Sequence, residues 1–150
     1  MRRISFVGVI VGGISDIVLT GILSMPVFVY ALVSSGLVAV PRAQQDSALL
    51  ALVQSNGVLH ATLLALGALA SLLAGYIAAW IAKREEVLNG ALSSFLCVAS
   101  ELYAFSKGQF GGPIWLAVAL LPVSPALGAA GGYLRLLHRR RPRAALTPRH

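Results

Sequence analysis

Charge is missing from long runs of this chain, and that absence decides which solvent it can face. Between Ile4 and Leu37 the only charged residue is Asp16, and between Ala48 and Ala82 there is none. Between Val87 and Ser106 there is only Glu101, and between Phe110 and Leu134 again none. A bilayer core about 30 Å thick is crossed by roughly 20 apolar residues in a helix, and each run reaches that length. Helix is the only spanning element these runs support. Backbone groups in hydrocarbon must be satisfied within the segment, and the alternating pattern of membrane barrel strands is missing. The sequence therefore predicts an all-α, polytopic membrane protein with four transmembrane helices, over about residues 4–33, 57–82, 87–106 and 113–137. These form two antiparallel hairpins in a single domain, and residues 138–150 form a basic tail. Composition agrees: 11% of the 150 residues are charged and mean hydropathy is +0.81, against about 25% charge in soluble domains. An ordinary soluble enzyme, a disordered chain and a disulfide scaffold are excluded by that inventory.

Orientation follows from the basic residues. Arg2, Arg3, Lys83, Arg84, Arg135, Arg139, Arg140, Arg141, Arg143 and Arg149 fall at the N-terminus, in the connection between the second and third helices, and in the tail. Arg42 and Lys107 lie on the opposite connections. The positive-inside rule then places both termini in the cytoplasm of a bacterial inner membrane. A cleaved leader is disfavoured, because the first apolar run is far longer than a signal-peptide core and the residues before Ala39 and Ala43 are poor for cleavage. Lys83-Arg84-Glu85-Glu86 alone joins the second and third helices, which forces a tight hairpin. In the longer first outer connection, Ala48–Val53 fits either a short helix in the membrane interface or an early extension of the second span.

Lipid provides no hydrophobic drive for helices to associate, so rows of small residues mark the packing faces. The rows are Gly8, Gly12, Asp16 and Thr20 in the first helix and His60, Gly67, Ser71 and Gly75 in the second. The third carries Gly90, Ser94, Cys97 and Glu101, and the fourth Ser124, Gly128 and Gly132. Asp16, Glu101 and His60 share these rows, which directs them into the bundle and makes them the candidate ion or proton site. At 1.5 Å per residue Asp16 lies roughly 20 Å in from Arg3, and Glu101 roughly 22 Å in from Glu86, while His60 falls near the outer interface. The only Lys or Arg within a span is Arg135, at the inner end of the fourth. An unpaired carboxylate in hydrocarbon is costly, so at least one of the two acids is expected to carry a proton or bind a cation. The plainer alternative has neutral carboxyls hydrogen-bonded to Ser, Thr or Tyr of a neighbouring helix, Tyr103 among them. Pro122 and Pro125 predict a kink midway along the fourth helix.

The tail arginines Arg139, Arg140, Arg141 and Arg143 are suited to anionic phospholipid headgroups. No aromatic residues interleave them, so nucleic-acid binding is not expected. The aromatic residues Tyr30, Tyr76, Trp80, Tyr103, Trp115 and Tyr133 cluster near span ends as an interfacial belt. No cofactor or metal site is expected: Cys97 is the only cysteine, the histidines are not at ligand spacing, and phosphate-loop and hydrolase motifs are absent.

Gly75-Tyr76 and Gly132-Tyr133 each precede a basic cluster, which suggests two related hairpins. With Gly75–Ala91 (GYIAAWIAKREEVLNGA), the chain resembles small four-helix bacterial inner-membrane proteins of uncharacterised function. That resemblance implies a second helix ending in Gly-Tyr and a basic hairpin, and it carries over no functional residues. The small multidrug transporters also have four short helices and a first-helix acid. Here the loop after Asp16 is too long and their aromatic pattern is missing, so the chain is not assigned to them. The expected role is a non-enzymatic structural or accessory membrane component acting through helix–helix contacts, as a homo-oligomer or with a membrane-protein partner. The alternative is a small proton- or cation-coupled carrier working as a homo-oligomer, with Asp16 and Glu101 as coupling acids.

Overall fold

The structure, a computed structural model, describes residues 4–106, 118–119 and 121–140, without the side chains of Glu101, Ala104, Phe105 and Arg140. All of its regular elements are helical. Helix α1 runs Phe6–Ser34. It is capped by Ser5, whose hydroxyl accepts from the Gly8 N–H at 3.2 Å, and it continues through Pro26. It ends where Gly36 takes a positive φ of 70°, the left-handed conformation that closes a helix C-terminus with least steric cost in glycine. A short 3-10 turn, Leu37–Ala39, leads to α2, Arg42–Ser55. Asn56 then separates α2 from α3, Gly57–Ala82, and its Oδ1 accepts from the Val58 and Leu59 N–H groups at 3.1 Å. This cap decides the choice left open at Ala48–Val53: the segment belongs to a helix of its own and is not the start of the next span.

The third predicted helix is two pieces, α4 (Glu86–Ser93) and α5 (Phe95–Ser106), broken at Ser94. The last is α6, Val123–Arg140. The disturbance predicted at Pro122 and Pro125 takes the form of an interruption: the chain turns at Leu121 and Pro122, between the helical residues 118–119 and α6, and Pro125 lies in the first turn of α6, where a missing N–H deprives the helix of no internal bond. Most of the outer half of the predicted fourth span lies outside the described residues.

Helix α3 is central, packed along α1 on one side and α6 on the other, with α4 wedged against α6 and α1. Among the described residues two helices, α1 and α3, are long and apolar enough to cross a membrane, while Glu86–Ser100 is a shorter apolar helical stretch interrupted at Ser94. The packing is made of small and polar residues. Among the described residues the buried hydrophobic side chains are Ala31, Ala70, Ala74, Ala78 and Ala79, and the largest fully buried side chains are Asn89, Asp16, Ser93 and Ser94. Large apolar residues point the other way: Val7, Ile10, Ile14, Ile17, Val18 and Ile22 form an exposed stripe along α1, and Leu64, Leu69 and Leu73 one along α3.

Glycine sets the spacing. A Cβ on Gly75 would meet the backbone of Gly128, one on Gly128 would meet the Gly90 carbonyl and, at 2.6 Å, the Ser94 Oγ, and one on Gly12 would meet Ala78 Cβ at 2.6 Å and Ser93 Cβ at 2.7 Å. Gly128→Val is therefore expected to lower unfolding stability in detergent by about 1–3 kcal/mol, the usual cost of overpacking. Gly21→Ala is the control, because a Cβ there meets nothing within 4 Å. Thermal denaturation followed by circular dichroism should show it unchanged or raised. Equal tolerance of both substitutions would mean that the helices do not approach as described.

Candidate functional site

Gly12 and Gly13 let α1 lie directly against α3 and α4, and one turn further along Asp16 enters the centre of the bundle, fully buried at 0% exposure. The Ser71 hydroxyl of α3 donates to its carboxylate, 3.2 Å from each oxygen. The Cys97 thiol of α5 donates to Oδ2 at 3.1 Å. Ser71 Oγ is also 3.4 Å from Ser124 Oγ of α6, and Ser94 Oγ donates to the Ser124 carbonyl at 3.0 Å. One carboxylate thus links α1 to α3 and α5 directly and reaches α6 through Ser71. No buried side-chain nitrogen or oxygen among the described residues lacks a partner.

Beside this network lies a cavity of about 470 Å3. Its polar wall is Thr20, Ser71, Cys97 and Ser124, and its apolar wall includes Leu63, Leu64, Gly67 and Leu127.

A second polar cluster holds the end of the bundle where α3 turns into α4. Lys83 and Glu85 both take positive φ, 55° and 44°, a conformation that costs non-glycine residues roughly 1–2 kcal/mol each. Asn89 offsets that strain: its Nδ2 donates to the Arg84 and Glu85 carbonyls at 2.8 and 3.0 Å. Its Oδ1 accepts from the Ser5 N–H at 2.8 Å, so one buried amide ties the start of α1 to the hairpin. Arg139 Nη1 is 2.7 Å from Glu86 Oε1 and donates to the Lys83 carbonyl at 3.2 Å, fastening α6 to the same turn. Arg135 stacks over the Tyr76 ring at 5.8 Å, and the Tyr76 hydroxyl lies 3.5 Å from His138 Nδ1.

Of the three residues grouped by sequence as an ion or proton site, Asp16 and His60 do not stand together. His60 is exposed on α3, eleven residues before Ser71 and so about 16 Å from it along the axis; its placement inside the bundle is corrected. Glu101 follows Cys97 by one turn on α5, and its side chain lies outside the described residues. Of the small residues, Gly8, Gly12, Gly75, Gly90, Gly128 and Gly132 lie at helix crossings, as do Ser71 and Ser94. Gly67 does not: a Cβ there meets nothing within 4 Å, and the residue lines the cavity. Its assignment as a packing residue is corrected. Arg139 is engaged with Glu86, while Arg141 and Arg143 and the side chain of Arg140 lie outside the described residues. Sequence reasoning misses Asn89, Gly13 and Gly131. The two glycines stand beside Gly12 and Gly132 and serve a second neighbour, Leu96 in one case and Leu72 in the other. Only the doubling Gly-Gly signals this.

No protein-family model, curated protein or solved structure matches the chain.

A double-mutant cycle of Asp16→Ala and Ser71→Ala, read by unfolding in detergent, is expected to give a coupling energy of about 0.6–1.7 kcal/mol, from the average to the largest interhelical hydrogen bond measured in membranes. Strict additivity would mean that the two side chains do not interact.

Proposed function

We propose that the chain is a multi-pass protein of the bacterial inner membrane that crosses it four times, with both termini in the cytoplasm. Its role is that of a structural or accessory component acting through helix–helix contacts, with another copy or another membrane protein. The observation that carries this reading is the inverted distribution of side chains: alanine, glycine, serine and the polar Asp16, Glu86 and Asn89 inside, with isoleucine, valine and leucine outside. In water that arrangement would expose a large apolar surface and bury almost none; in lipid it is what close helix packing requires. Four spans are supported by the antiparallel packing of α4–α5 and α6 beside the two long helices. The concentration of Lys and Arg at the termini and the Lys83–Glu86 hairpin supports the orientation. At that face the tail arginines meet anionic headgroups.

The partners of Asp16 favour an interhelical fastening, since it is held by neighbouring hydroxyl and thiol groups. The cavity reaching Ser71 and Cys97 favours the second reading, a small proton- or cation-coupled carrier using Asp16 and Glu101 in a homo-oligomer.

Membranes washed with alkaline carbonate should retain the protein. Alkaline phosphatase fused after Gln45 should be active and fused after His150 inactive. Release by carbonate, or the opposite pattern of fusion activity, would overturn the topology. Asp16→Asn and Glu101→Gln should leave an accessory component assembled with its co-purifying partners and without any proton-coupled flux to lose. Proton-coupled flux in proteoliposomes that these variants abolish would establish the carrier instead.

A further inference from the structure

We propose that the cavity between α3, α5 and α6 is a binding site for a lipophilic amine, with its hydrocarbon body along α3 and its ammonium head against Ser71 and Ser124. Three observations converge on it. The first is size and shape: about 470 Å3 falls within the roughly 300–1,000 Å3 of small-molecule sites, which are mostly apolar with a few placed polar groups. Along α3 the apolar lining runs from Leu63 to Gly67 and gives way to Ser71, a length of about 12 Å at 1.5 Å per residue. Ser71, Cys97 and Ser124 therefore stand at one end and hydrocarbon at the other, the division an amphiphile has, with Thr20 of α1 one turn beyond Asp16 as the polar group away from that end.

The second observation is the glycine. A Cβ at Gly67 meets nothing within 4 Å, whereas Gly12, Gly75, Gly90 and Gly128 are hemmed in by neighbouring helices. Gly67 gives up side-chain volume without bringing any helix closer, and the volume it gives up belongs to the cavity.

The third is charge. Asp16 lies directly behind the polar wall: Ser71, which lines the cavity, is 3.2 Å from both of its oxygens, and Cys97, which also lines it, is 3.1 Å from Oδ2. The ion pair among the described residues, Arg139 with Glu86, lies at the far hairpin, and the one basic residue within the predicted spans, Arg135, lies eleven residues beyond Ser124 on α6, about 16 Å along the axis, and stacks over Tyr76. An ammonium donating to the Ser71 and Ser124 hydroxyls supplies the opposite charge that ionised Asp16 lacks, and in a low-dielectric interior such a pairing counts for far more than in water. An alcohol of the same length offers the hydrogen bond without the charge, and a carboxylate offers the wrong charge. The site thus selects by head group. It rests on the proposed membrane placement only in that the ligand arrives from the lipid; carbonate extraction tests that placement separately, and binding can fail while it holds.

The test is saturable binding of tritiated n-octylamine to the full chain in phosphatidylcholine nanodiscs, with empty discs subtracted and 1-octanol and octanoate as competitors. Octylamine is expected to bind at least about tenfold more tightly than octanol, with octanoate weakest. Asp16→Asn should bring octylamine to the octanol level. Gly67→Leu should weaken both ligands by about tenfold or more while leaving the thermal midpoint unchanged or raised, because its side chain enters empty space. Absence of saturable binding, equal affinity of amine and alcohol in the wild type, an amine preference that survives Asp16→Asn, or undiminished binding to Gly67→Leu would each overturn the proposal. The comparison of head groups is made on the wild-type chain and stands whether or not either variant folds.

Discussion

Contact between backbones, made where side chains are absent, holds this bundle together. Gly75 of α3 and Gly90 of α4 both face Gly128 of α6, and Gly131 and Gly132 extend the same seam to Leu72 and Glu86. In water a helix is held by the apolar area it removes from solvent. In the proposed membrane setting lipid abolishes that drive, and association would depend on dispersion between closely fitted atoms and on polar groups that bond across helices. Both need short interaxial distances, and only glycine, alanine and serine permit them. The alanines lining α3 and the serines at 93 and 94 follow from the same demand.

Close approach makes the polar centre possible. Asp16 is tolerable inside the bundle because Ser71 and Cys97 are near enough to bond to it, and Asn89 because the Ser5 amide and the Arg84 and Glu85 carbonyls surround it. The two polar sites divide the work. Asn89, with the Arg139–Glu86 pair, fixes the hairpin end, where the strained Lys83 and Glu85 need support. Asp16 joins helices at mid-bundle, next to the cavity. Distributing polar contacts over two levels resists both sliding and splaying of α1, α3 and α6.

Much of this is legible in the sequence, for identifiable reasons. Helices α1 and α3 announce themselves because charge-poor runs contain capping residues, Ser5 and Asn56, and end at Gly36 or at the basic hairpin. The burial of Asp16 follows from its spacing to Gly8 and Gly12. Gly67 is misjudged because spacing marks a helix face but cannot say whether a neighbour extends far enough to cover it. The break at Ser94 is invisible because serine carries no backbone signature like that of proline; the break coincides with the Ser94–Ser124 bond and the glycine crossing beside it, both tertiary. The prolines mark the interruption at Leu121 and Pro122 but not its form, since the same residues that kink a helix interior also suit the first turn of a new one. His60 shares a helical face with Gly67, and where that face is uncovered the shared register places the histidine in the open.

The central claim is that the large apolar faces of α1 and α3 are turned toward hydrocarbon and the small and polar ones inward. Nitroxide labels placed singly at Ile14, Val18 and Leu73 in a Cys97→Ser background, with a label at Ser47 for comparison, test it directly. In lipid bilayers the three span labels are expected to be relaxed strongly by dissolved oxygen and hardly at all by a water-soluble nickel complex. Relaxation by nickel at Ile14, Val18 and Leu73 matching that at Ser47 would contradict the account.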